Sequence, residues 1–467
     1  MKTAIIYDKW LSGMGGGEVV ACNMARVLKD EGYQVIFACS KIVSTQEIKN
    51  KLGIDLSDIT FKEISNEQGF TQTAVDLFIN ISFMDYTYGF AKKNIYYVHF
   101  PSVIRSGLFN YVLLFFQKTN LHFLLPNPLK ERINDRLRAG IYPDMKKRLN
   151  SYDTFITHSE YVKKWVKKLW HKDAQVLYPP VSLIESKTEA VKETEGRGTA
   201  SVNGVIIKHN LITSIGRFFT LGHGKKQEVL IEAFKRLTEA VKEPSDSEGG
   251  GTASVNGVII KHNLITSIGR FFTLGHGKKQ EVLIEAFKRL TEAVKEPSDS
   301  EGGGTASVNE QWQLHLIGGV GSEPSSIRFV EKLKQMAQGY PIYFHFNASR
   351  SEVEEILLKS KIYWHASGYG EDAERDPIKF EHFGIAPIEA ISAGCIPILF
   401  NGGGLAEIIK LLGFDEGLNL FSTIDDLVEN TNHILMMSEK IEVNSKILNT
   451  NFSPLSFKEK FTKIINY

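Results

Sequence analysis

The densest group of reactive side chains lies in EHFGIAPIEAISAGCIPILF, residues 381–400. Glu381 and Glu389 bracket Gly384, Ile385 and Ala386. Pro387 suits the first turn of a helix and Gly394 its C-terminal stop. The helix N-terminus then falls at Gly384 to Ala386, where backbone N–H groups lacking intrahelical partners can receive a phosphate. Carboxylates on either side of such a point can accept hydrogen bonds from the hydroxyls of a sugar and a ribose. The plainer reading is two solvated glutamates on a surface helix. The flanking Phe383-Gly384 pair, the small residues and the strand on each side weigh against it.

Two further features are less specific. The turn GMGGGE, residues 13–18, follows an apolar run, and a tight strand-to-helix turn explains it equally well. It lacks the G-x-G-x-x-G spacing with a following acidic ribose ligand. His99, in YYVHFP, closes another apolar run, where a structural histidine is the competing reading. His158, His315, His345 and His365 sit inside strand-like runs and read as core or edge residues.

Short apolar runs must position these groups. KTAIIY, the glycine turn, a helical pattern through Val19, Cys22, Ala25, Val27 and Leu28, and then QVIFACS make a βαβ unit. DLFINIS, NIYYVHF, TFITHS and QVLYPP continue the series, and Pro179-Pro180 suits a stop. A second series runs through LITSIG, QLHLIGG, IYFHF, IYWHAS and CIPILF. The expected fold is α/β: two Rossmann-like domains facing a central cleft, with ligands at the carboxyl ends of the strands. The expected boundaries are 1–182, a linker 183–210, 211–450, and a C-terminal helix 451–467.

Residues 198–250 and 251–303 are identical over all 53 positions, and GTASVN starts again at Gly304. Two undiverged copies do not make a solenoid. They read as a recent tandem duplication or an error in the sequence. Each copy holds a strand, a loop RFFTLGHGKK and a helix, whose apolar stripe in the first copy is Val229, Leu230, Ala233, Phe234, Leu237 and Val241. A sheet with one vacancy accepts one copy. The other is looped out or adds an extra βα unit.

Composition narrows the classes. An apolar fraction of 42% and a charged fraction of 23% exclude a disordered chain and a membrane bundle for the bulk. Three unpatterned cysteines argue against a disulfide scaffold or a structural zinc, and fit a reducing, cytoplasmic setting. No signal peptide and no apolar run of membrane-spanning length is found. Residues 1–180 carry seven more basic than acidic side chains, many of them in KERINDRLR, DMKKRLN and YVKKWVKKLW. These read as solvated helix faces, or as a surface for the anionic inner face of a membrane or a phosphorylated acceptor. A nucleic-acid module signature is lacking.

EHFGIAPIE, within IYWHASGYGED…KFEHFGIAPIEAISAGCIPI, resembles the E-x7-E motif of retaining family 4 glycosyltransferases, which have the GT-B fold. It is similar to a bacterial branch and to the eukaryotic branch that mannosylates dolichol-linked oligosaccharides. The resemblance implies that Glu381 binds donor-sugar hydroxyls and Glu389 the ribose. SIGRFF…HGKKQEVLIEAF resembles the family's basic pair, carried here as Arg217 and Lys225 or as Arg270 and Lys278. These would neutralise the leaving diphosphate; surface basic residues are the alternative. Gly15 and Gly16 match the family's GG-x-E turn near the donor phosphates, and His99 its strand-end histidine facing the donor sugar. VLYPPVS matches the interdomain segment, with Ser182 where the family usually has Asp. NGGGLAEII, residues 401–409, matches a stretch near the donor, and Glu407 reads as a helix N-terminal charge. The implied reaction is metal-independent, retaining transfer from a nucleotide-sugar to a glycan or lipid-linked hydroxyl, without a cofactor. A GT-B epimerase, and a nucleotide-sugar-binding protein inactivated by the duplication, remain as alternatives.

Overall fold

The computed structural model describes residues 2–64, 70, 75–104, 112, 115, 119, 126, 144–184, 210–215, 221–222, 262–269, 271, 274–275, 280–292, 312–321, 323–436 and 444–466. These form two compact units, Met1–Pro180 with Asn451–Tyr467, and Val181–Thr450.

The first unit is built on a seven-stranded sheet ordered β3-β2-β1-β4-β5-β6-β7, and every pairing is parallel. The strands are β1 (Thr3–Tyr7), β2 (Gln34–Cys39), β3 (Thr60–Glu63), β4 (Leu77–Asn80), β5 (Lys93–Val98), β6 (Thr154–Thr157) and β7 (Gln175–Val176). Ala4, Ile5, Ile6 and Tyr7 are all buried, as a central parallel strand covered on both faces requires. The strand order reverses between β1 and β4, and in such sheets this point opens the ligand crevice. The helix Gly16–Asp30 leaves from there. Its N-cap is Gly15, whose N–H is taken by the Glu18 carboxylate. Its buried stripe includes Val20, Met24, Val27 and Leu28.

Phe457, Phe461, Ile464 and Ile465 belong to that same core, so the last helix, Pro454–Asn466, completes the first unit. Lys458 pairs with Asp30 at 2.7 Å, and Lys93 Nζ donates to the Ile464 carbonyl at 2.8 Å. The latter contact places a cation on the carbonyl end of the helix.

The second unit contains β8 (Asn210–Ile215), β10 (His262–Ile268), β12 (Gln313–Gly318), β13 (Ile342–Phe346), β14 (Ile362–His365), β15 (Ile396–Phe400) and β16 (Leu420–Phe421). A two-residue parallel pair, β9 (Leu221–Gly222) and β11 (Leu274–Gly275), lies apart from this sheet. The main sheet is ordered β13-β12-β10-β8-β14-β15-β16, with β12 also pairing β8 and β10 also pairing β14. β8 and β10 are the identical strands of the two copies, and they take the same partners. Leu316 registers with Ser214 and with Ser267, Ile317 with Ile215 and with Ile268, and Ile362 with Ile212 and with Ile265. Both strands lie between β12 and β14, and they also pair with each other in parallel, Thr213 with Thr266 and Ile215 with Ile268.

From the second copy the helix Gln280–Glu292 is described, with Leu283, Ala286 and Phe287 buried. Arg289 pairs with Asp425 at 2.6 Å. Phe271 packs among Phe329, Phe344 and Phe346. The stripe expected at Val229 to Val241 lies outside the described residues. Among the described residues, no helix is long and apolar enough to cross a membrane.

Candidate functional site

Glu381 follows β14, the strand beside the β8 and β10 pair, at the point where the order of the second sheet reverses. Its backbone is clamped from the turn Asn401–Gly404. The Glu381 carbonyl accepts the Gly404 N–H at 2.7 Å. A Cβ on Gly403 would lie 2.2 Å from that carbonyl oxygen, and one on Gly404 2.4 Å from the His382 carbonyl oxygen. The glycines of NGGGLAEII therefore let two loops meet backbone to backbone. Phe380 fills the space under Gly402, whose added Cβ would come within 2.7 Å of its ring.

The Glu381 side chain is tied as well. His365 Nε2 lies 3.0 Å from Oε2, and the Tyr363 hydroxyl lies 3.2 Å from His365 Nδ1. His365 thus contacts the key carboxylate. The sequence suggests only a core or edge residue.

Gly384 caps the helix Ile385–Ser392 with φ 111°, a left-handed value that favours glycine. Its open N–H groups belong to Gly384, Ile385 and Ala386. Gly394, φ 77°, ends the helix, donating to the Ile391 carbonyl at 2.8 Å. Glu389 is buried on this helix, not solvated. One of its carboxylate oxygens is paired with Arg350 Nη1. Arg350 also bonds Glu354 at 2.6 Å and the Ser182 carbonyl at 3.1 Å. Ser182, where an Asp is expected from the resemblance, is used through its backbone. Sequence reading missed Arg350, because its partner stands 39 positions away.

In the first unit His99 meets Gly17, the residue after Gly15 and Gly16. A Cβ on Gly17 would lie 2.7 Å from His99 Cε1, so the imidazole sits against the start of the helix Gly16–Asp30. His99 Nε2 donates to the Ile81 carbonyl at 2.7 Å, which makes Nδ1 the unprotonated nitrogen of the neutral ring. Desolvation holds the His99 pKa below its ordinary value, opposed in part by Glu18 and the Ile81 carbonyl. Close by in sequence, burial raises the carboxyl of Asp8, and the Glu18 charge raises it further, against the Trp10 N–H that lowers it. The turn thus holds Glu18 as a helix cap, and the neutral His99 meets the glycine that follows Gly15 and Gly16. Arg217, Lys225, Arg270 and Lys278 lie outside the described residues.

Comparison with known proteins bears on both fold and site. Residues 255–444 match the family described as glycosyl transferases group 1. The matched stretch starts inside the second copy, so it takes in Arg270 and Lys278 and leaves out Arg217 and Lys225. The chain is 28% identical over 212 residues to a GDP-Man:Man(3)GlcNAc(2)-PP-Dol alpha-1,2-mannosyltransferase of Dictyostelium discoideum, covering 44% of this chain. It is 26% identical over 204 residues to the Xenopus laevis protein of the same name, covering 42% of this chain. The aligned region spans 37% of the length of each relative. Among solved structures, a glycosyltransferase from Rickettsia africae aligns at TM-score 0.51 and 13% identity, over 99% of this chain and 97% of its own. Anabaena Alr3699/HepE in complex with UDP-glucose aligns at TM-score 0.53 and 12% identity, over 100% of both chains. The fold is therefore that of GT-B glycosyltransferases: two parallel-sheet Rossmann-like domains.

Proposed function

We propose that this chain is a glycosyltransferase moving a sugar from a nucleotide-sugar to a hydroxyl acceptor. The observation that carries this reading is the arrangement at residues 381–389, inside the stretch that matches glycosyl transferases group 1. A carboxylate fixed by His365 and a second fixed by Arg350 flank the open N-terminus of a helix. In this reading Glu381 accepts hydroxyls of the donor sugar and Glu389 those of the ribose. The N–H groups of Gly384 to Ala386 face the diphosphate. Arg270 and Lys278, or their twins Arg217 and Lys225, neutralise the charge that grows on the leaving group. His99, Gly15 and Gly16 are assigned to the donor sugar and phosphates on the family resemblance alone.

We place the reaction in the retaining, metal-independent class. The bond from the anomeric carbon to phosphate breaks, the acceptor oxygen bonds to the same face, and its proton passes to the departing phosphate. The names of the two curated relatives support a lipid-linked glycan as acceptor and GDP-mannose as the first donor to try. The helix Glu160–Trp170 carries Lys163, Lys164, Lys167 and Lys168, a basic face suited to peripheral contact with an anionic membrane.

The test is transfer itself. Purified protein is incubated with GDP-mannose or UDP-glucose and a polyprenyl-diphosphate-linked glycan, and released nucleoside diphosphate and product anomer are followed. Release with an α-linked product, unchanged by a chelator, is expected, and Glu381→Gln should lower kcat/KM by about 10²–10³-fold. A β-linked product would overturn retention. Metal dependence would overturn the metal-free assignment, and equal activity in Glu381→Gln the role of that carboxylate.

A further inference from the structure

We propose that Tyr363 and His365 are positioning residues that hold Glu381 in its sugar-binding orientation, an inference that rests on the donor site described above. Residues 363 and 365 alternate onto one face of β14, and both are fully buried. Their rings are 6.1 Å apart and 23° from parallel. The contacts run from that hydroxyl to Nδ1 at 3.2 Å and from Nε2 to Glu381 Oε2 at 3.0 Å.

The chemistry fixes one proton. An ionised carboxylate only accepts, so His365 Nε2 carries the hydrogen and donates it. Nδ1 then meets a hydroxyl, which can donate to a bare nitrogen or accept from a protonated one. Together with the Gly404 N–H on the Glu381 carbonyl, the residue is held at both its backbone and its side chain. A glutamate on a loop would otherwise lose rotamer freedom each time a sugar bound. Here that freedom is removed beforehand, and the direction of the second carboxylate oxygen is set. The residue acts through Glu381 and has no contact of its own with substrate in this scheme.

Three variants and one spectrum test this. His365→Gln keeps an amide N–H with the reach of Nε2. His365→Leu keeps the volume and removes the donor. Tyr363→Phe removes only the hydroxyl. With a nucleotide-sugar donor, His365→Leu should lower kcat/KM by about 10- to 100-fold, the worth of a hydrogen bond to a charged group. His365→Gln should recover most of that loss. Binding of the bare nucleoside diphosphate should be unchanged in both, since Glu381 addresses the sugar. Equal kcat/KM in folded His365→Leu and wild type would overturn the proposal, as would weakening of the bare diphosphate by the same factor.

The ligand-free spectrum separates this proposal from the donor-site reading. In 15N-labelled protein, Nε2 of His365 should be of the protonated type and should move in Glu381→Gln. A bare Nε2 would overturn the positioning role even if transfer is observed. A protonated Nε2 in a protein that binds no nucleotide-sugar would leave the hydrogen bond standing and sink the donor site. Should His365→Leu fail to fold, Tyr363→Phe and the spectrum still decide: an Nε2 resonance unmoved in both Tyr363→Phe and Glu381→Gln counts against the chain of contacts.

Discussion

Arg350 and Glu389 form a pair in which removing one partner harms the other. The Glu389 side chain is 11% exposed and the Arg350 side chain 40%. Arg350→Ala leaves a buried carboxylate without its cation and should destabilise the protein by about 1–3 kcal/mol. The lower half of that range is expected, because the guanidinium is partly solvated. Adding Glu389→Gln should return part of the loss, as measured by urea unfolding of both variants and the double mutant. Additive losses would show that the pair is not coupled. At this scale the sequence is legible where chemistry is contiguous. Glu381, Gly384 and Glu389 fall within nine consecutive residues at one short helix, so the motif taken over its whole length exposes them. Arg350 and His365 reach their carboxylates across separate elements, and nothing in the local pattern of either residue marks a partner. A buried histidine in an apolar strand has the same sequence signature whether or not it orients a carboxylate.

The glycines of the turn after β15 show the same limit for a whole element. NGGGLAEII reads as a loop and a helix start. Its role, admitting the Glu381 and His382 carbonyls to within a Cβ radius, appears only when the two loops are seen together. The repeat behaves in the opposite way. Identity over 53 residues forces both copies toward one environment, and β8 and β10 do register on the same residues of β12 and β14. Either strand alone can pair with β12 and β14, since the two take the same partners. Loop-closure cost rises by only about 0.6 kcal/mol for each doubling of loop length. Deleting 251–303, which yields the same sequence as deleting 198–250, should therefore leave a folded protein with a similar melting temperature and catalytic constants equal to those of the full chain. Circular dichroism melts and donor kinetics on the deletion variant and the full chain check this. If the deletion unfolds the protein, one copy does not suffice for the fold. A large gain in transfer after deletion would favour the reading in which the duplication has broken the site.

On the scale of the molecule, alternating apolar runs and turns were enough to foresee two parallel α/β sheets, because buried parallel strands read as continuous apolar segments. The segment after Asn451 reads in the sequence as a closing helix, and its contacts identify the core it completes: Phe457 and Phe461 lie with Val20, Met24 and Leu28. What the sequence could not decide is which pair, Arg217 with Lys225 or Arg270 with Lys278, serves the proposed donor site, because the two stand in identical copies. The central claim, that residues 381–389 grip a nucleotide-sugar, is tested most directly by thermal unfolding with a panel of nucleotides and nucleotide-sugars. One donor at 100 times its Kd should stabilise the protein by about 2.7 kcal/mol. The gain should shrink in Glu389→Gln and, for the sugar-bearing ligand only, in Glu381→Gln. A melting temperature unmoved by every nucleotide and nucleotide-sugar in the panel would contradict it.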